Sequence, residues 1–125
     1  MEDIVIIRQK VLKKELKYFR TTAESGKWFR LSLSEQLGNI GSEVARALNW
    51  RQKNAREHCE KALERAMELF YLTLSDPRWK YRAKEIARAR EVINDFFYGD
   101  NQYKCDAADI DRYFMQFALA ARINK

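Results

Sequence analysis

A chain of 125 residues and 14.9 kDa, with 46% hydrophobic and 34% charged residues, is one domain's worth of sequence and buries a core without a disulfide or metal staple. Its apolar content excludes a wholly disordered chain, while four Gly and one Pro exclude collagen-like and low-complexity classes and argue against an all-β sandwich. Lys and Arg number 24 against 18 Asp and Glu, a balance of +6 with a pI near 9.4 that points to an anionic partner.

Five helices are predicted in a single domain over residues 1–125. The first runs from about Asp3 to Arg20, with Ile4, Ile7, Val11 and Leu12 on one face. With the Thr21–Gly26 loop it forms an extra N-terminal element, 1–26, ahead of a bundle over 27–125. The second, about Ser34 to Lys53, carries Leu33, Leu37, Ile40, Val44 and Leu48 as a buried stripe, with Ser32 or Ser34 as cap. Gly38 and Gly41 put small residues on one face of it, which suits close helix–helix packing. The third runs from Asn54 to Leu74, with Cys59, Ala62, Leu63, Ala66, Met67, Leu69, Phe70 and Thr73 along one side. The fourth starts at Asp76 as N-cap with Pro77 at the first helical position. Trp79, Ala83, Ile86, Arg90, Ile93 and Phe97 follow at helical spacing. The fifth starts near Asp106 and carries Ile110, Tyr113, Phe114, Phe117 and Ala121. Short connections favour antiparallel neighbours, so the expected fold is all-α: an up-down four-helix bundle with an additional N-terminal helix.

The two cysteines are too few for a disulfide framework. The start, Met1-Glu2-Asp3, is acidic, and the apolar run Ile4–Ile7 is too short for a secretory leader. No stretch approaches the ~20 apolar residues that cross a bilayer. The first helix lacks the bulky apolar wedge of an interfacial helix, so no membrane partner is expected and the compartment is cytoplasmic.

Constellations for catalysis are sparse. His58 is the only histidine, no Glu-x-x-His or Cys/His cluster offers a metal site, and no Gly-rich phosphate loop is present, so no metal or cofactor is expected. One pattern stands out: Arg51 and His58 are separated by six residues, a spacing similar to HEPN-type ribonucleases. There an Arg stabilises charge on phosphorus and a His moves the 2′-hydroxyl proton. Seven residues would place both on one face of an unbroken helix, although Asn54 between them is a breaker.

The positive charge is concentrated. Residues 8–20 hold six basic residues and one acid, Glu15, for +5, and residues 77–90 hold six more with Glu85, again +5. Lys10, Lys13, Lys14 and Lys17 share a face of the first helix. Lys84 and Arg88 stack on the fourth, with Arg78 and Arg82 on an adjacent row. Trp79 and Tyr81 interleave with them, as in proteins that stack on unpaired bases, although the apolar row through Trp79 favours a core position for it. The sixteen aromatics include consecutive Phe96, Phe97 and Tyr98, which span too much of a helix to face one core, so exposed apolar surface and self-association are expected.

Ser34-Glu35-Gln36-Leu37, the small-residue section Asn39 to Ala45, the basic turn Arg51-Gln52-Lys53-Asn54 and the helix Ala62 to Leu69 together resemble one known family. It is the four-helix-bundle family of ribosomal-RNA intervening-sequence proteins, which includes accessory proteins of diversity-generating retroelements. The resemblance implies a small, basic, non-enzymatic bundle that forms homo-oligomers and binds nucleic acid beside a nucleic-acid-processing enzyme. The extra N-terminal helix and the Trp79/Tyr81-bearing fourth helix depart from it. The sequence therefore leads to a non-enzymatic, self-associating protein that binds RNA or DNA through its first and fourth helices. A HEPN-like, metal-independent ribonuclease built on Arg51 and His58 is the alternative, and a protein–protein interaction module is a third.

Overall fold

A computed structural model describes residues 26–123. The predicted N-terminal helix, with Lys10, Lys13, Lys14 and Lys17, lies outside these residues. The described residues form helices and no strand: α1 (Leu33–Gln52), α2 (Arg56–Ser75), α3 (Ala83–Tyr98) and α4 (Ala107–Ile123), with 3-10 segments at Trp28–Arg30 and Pro77–Arg82.

Each boundary has a local cause. Ser32 Oγ accepts from the Glu35 amide and the Glu35 carboxylate accepts from the Ser32 amide, both at 3.1 Å, a reciprocal cap that starts α1. Asn54 adopts φ 58°, the left-handed conformation that Asn tolerates better than most residues, and the chain reverses between Gln52 and Arg56. Asp106 and Asp109 cap α4 in the same reciprocal way as Ser32 and Glu35, at 2.8 and 3.1 Å.

One predicted start is corrected. Asp76 does cap, accepting from the Arg78 amide at 3.0 Å, but Pro77–Arg82 is 3-10 rather than α, kinked at Trp79 (φ −103°, ψ 19°), and the α-helix begins at Ala83. The kink goes with a hydrogen bond that the Trp79 indole makes to a side chain on α1, described below.

The predicted stripes form the core. Leu33, Leu37, Ile40 and Val44 of α1 are buried, as are all eight residues predicted along α2; Leu48 is half-buried. Ile86 and Ile93 enter from α3, and Ile110, Phe114 and Phe117 from α4. Helix α1 packs against both α2 and α4, whereas α3 packs on α2 and makes little contact with α4. The small residues of α1 permit its close approach to an antiparallel α4. A Cβ on Gly38 would sit 3.5 Å from Ala118 Cα, and one on Gly41 only 2.5 Å from Phe114 Cβ. Of the consecutive aromatics, Phe96 and Phe97 lie half-buried against the core and Tyr98 is exposed.

Candidate nucleic-acid interface

The basic stretch at 77–90 divides into an inward and an outward part. Inward, it joins a polar network at one end of the bundle. Gln36, fully buried, donates to the Trp28 carbonyl at 2.9 Å and to Asp76 Oδ2 at 3.3 Å, and accepts from Trp79 Nε1 at 2.8 Å. Asp76, 3% exposed, receives the Arg78 guanidinium at 2.7 Å, which also donates to the Leu31 carbonyl at 2.8 Å. Burial pushes the Asp76 carboxyl up, but hydrogen bonds from the Arg78 side chain and amide and from Gln36 outweigh it and hold it below the ordinary value. The same contact to Asp76 raises Arg78. Arg78 also lies 4.4 Å from the Trp79 ring centroid. Its guanidinium is therefore tied to the end of the bundle, and Trp79 is a packing and hydrogen-bonding residue.

Outward, Lys80 and Tyr81 of the 3-10 segment and Lys84 and Arg88 of α3 are exposed. Tyr81 is 93% exposed, with Lys80 Nζ 5.7 Å from its ring. An aromatic side chain this open, set among cations, is suited to stacking on an unpaired base. Arg82 is held by Glu85 at 2.9 Å, and Arg88 stands 5.6 Å from the Tyr103 ring centroid. The expected row of Arg78 and Arg82 beside Lys84 and Arg88 assumed α-helical phase, which the 3-10 segment does not have.

A second basic and aromatic cluster forms where α1 turns into α2. The Trp50 and His58 rings stack at 4.5 Å, and Lys53 Nζ lies 5.4 Å from the Trp50 ring. Lys53, Arg56 and His58 are exposed around Asn54. Trp50 and His58 are eight residues apart on different helices, so only knowledge of the chain reversal would have paired them. Arg51 turns the other way. It lies 4.6 Å from the Phe96 ring centroid and donates to the Phe96 carbonyl at 3.3 Å, tying the end of α1 to the end of α3. The helix is thus broken between Arg51 and His58, and each side chain has its own aromatic partner.

Among the described residues, no group of three His, Cys, Asp or Glu is placed to hold a metal ion, and no helix is long and apolar enough to cross a membrane. Cys59 is buried, and that burial raises its thiol above the ordinary value. The fold and surface define an all-helical bundle with a basic, aromatic-bearing outer face. Comparison with protein-family models, curated proteins and solved structures finds no match for the chain.

Proposed function

We propose that this protein is a non-enzymatic helical bundle that binds single-stranded RNA or DNA, self-associates, and serves as an accessory to a nucleic-acid-processing enzyme. The observation that carries the binding reading is the 93% exposed Tyr81 with Lys80, Lys84 and Arg88 also exposed between residues 80 and 88, a stretch we take as one binding face. Cations on that face attract phosphates and release their counterions, and the phenol ring stacks on a base. Arg78 and Arg82 are also exposed in this stretch, each paired with a carboxylate, Asp76 and Glu85. Lys10, Lys13, Lys14 and Lys17 remain in the proposal on the charge of their segment. Self-association is supported by Met115, Leu119 and Ile123, exposed at four-residue spacing along α4.

The test is fluorescence anisotropy with a labelled single-stranded oligonucleotide across a salt series. Affinity should fall steeply with salt, Lys84→Ala with Arg88→Ala should flatten the slope by roughly one unit per lost contact, and Tyr81→Ala should weaken binding by ~1–3 kcal/mol without lowering thermal stability. Binding that ignores salt would sink the proposal in favour of a protein-interaction module. RNA cleavage in EDTA, lost in both His58→Ala and Arg51→Ala, would replace it with the ribonuclease.

A further inference from the structure

The corner where α1 turns into α2 has a fixed backbone. The amides of Lys53, Asn54 and Ala55 donate to carbonyls at the end of α1 at 2.9 to 3.2 Å, and Asn54 makes the reversal at φ 58°. Residues 51–56 hold three cations, Arg51, Lys53 and Arg56, and no acid. Arg51 is committed to the end of α3, whereas Lys53 and Arg56 are exposed. Glu60 lies 3.4 Å from Arg56, but with the Arg56 side chain 91% exposed that pair holds it weakly.

Beside these cations stands an ordered pair of rings. Trp50 is half-buried and packs on the core, and the exposed His58 lies against it with centroids 4.5 Å apart and planes at 25°. The imidazole is thus held from one side, and among the described residues no second ring, ion pair or hydrogen bond engages it. A ring positioned in this way costs a partner little entropy, because binding does not have to immobilise it. Every nucleobase has a π face to lay on such a ring. Lys53 Nζ, 5.4 Å from the Trp50 ring centroid, is on hand for a flanking phosphate, and Arg56 lies two residues before His58.

We infer that this corner is a second single-strand contact: an unpaired base stacks on the outer face of His58, extending the Trp50–His58 stack, and Lys53 and Arg56 bind the adjacent phosphates. The class of ligand rests on the nucleic-acid reading proposed above, while the residues are separate from those around Tyr81. The two places lie at opposite ends of α2, whose twenty residues span about 30 Å. A stacked tetranucleotide, roughly 10 Å long, therefore cannot touch both. His58 acts here by stacking, so a phenyl ring can replace it.

The test is an NMR titration of the full chain with tetradeoxyadenylate at constant pH and low salt. It is read at the imidazole of His58, the only histidine, and at the Tyr81 ring. Both should shift, and Tyr81→Ala should leave the His58 response unchanged. Read at the Trp50 indole, His58→Ala should weaken binding at the corner about tenfold and His58→Phe should retain it. Lys53→Ala with Arg56→Ala should weaken it and flatten its salt dependence. A response at His58 without one at Tyr81 supports the corner and removes the other face. A response at Tyr81 alone overturns the inference and leaves the nucleic-acid reading standing, and silence at both overturns the two together. The inference also fails if inorganic phosphate alone reproduces the His58 shift, which makes the contact purely ionic, or if His58→Phe binds no better than His58→Ala. It fails too if the His58 signals follow protein concentration and not the oligonucleotide, which makes the corner a protein contact.

Discussion

Gln36 is the residue on which one end of the bundle depends. It satisfies the Trp28 carbonyl, an Asp76 oxygen and the Trp79 indole at once. Gln36→Leu would keep the volume and leave all three groups without that partner. It is expected to cost ~2–4 kcal/mol in chemical denaturation, because each buried unpaired group carries its desolvation penalty. A loss under ~1 kcal/mol would mean that water replaces the amide. Asp76 gives this network a pH dependence. Its carboxyl is held below the reference value of 3.8, so the folded state binds the proton less readily than the unfolded chain. The stability it contributes is present above that value and is lost as pH falls through the lower, folded value. Asp76→Asn should therefore lower stability at neutral pH and show a shallower decline on acidification, read from denaturation midpoints. The sequence displayed Trp79 on an apolar row but not its hydrogen bond. Gln36 lies in phase with Leu33, Leu37 and Ile40, the one sign that its amide is buried; its side-chain partners Asp76 and Trp79, forty and forty-three residues away, leave no local pattern.

At the scale of elements, the two glycines of α1 should behave in opposite ways. A methyl at Gly38 makes ordinary contact with Ala118, so Gly38→Ala is expected to be neutral or to stabilise by up to ~1 kcal/mol through helix propensity. A methyl at Gly41 would overlap the Phe114 side chain, so Gly41→Ala should destabilise by ~1–3 kcal/mol, with partial recovery on adding Phe114→Leu. Thermal melts of the set check this, and equal effects at both positions would contradict the α1–α4 packing. Helix existence and buried faces were legible, because the stripes of α1 and α2 repeat at helical spacing over twenty residues. The 3-10 character of Pro77–Arg82 was not, since Asp-Pro is an equally good start for either helix type. What decides there is tertiary: Trp79 and Arg78 both reach back to the start of α1.

At the scale of the whole molecule, Met115, Leu119 and Ile123 are 56%, 50% and 81% exposed on α4. Leu119→Glu should shift a self-associated form toward monomer in sedimentation analysis while leaving helical content unchanged. An unchanged mass would remove α4 as the interface. The sequence indicated surplus apolar surface among the aromatics of 96–98, and of these only Tyr98 is largely exposed. Aromatic residues announce themselves by size, whereas this stripe shows only when the buried face of α4 is known. The unequal packing of the bundle has a kinetic consequence. Helix α1 is held on two sides, and α3 rests mainly on α2, with an apolar cleft between it and α4. Such an element opens without the rest of the core coming apart. In native-state hydrogen exchange, the amides of α3 should lose protection first, at a free energy below that of global unfolding, and those of α1 last. A single exchange energy shared by all four helices would show instead that the bundle opens only as one unit.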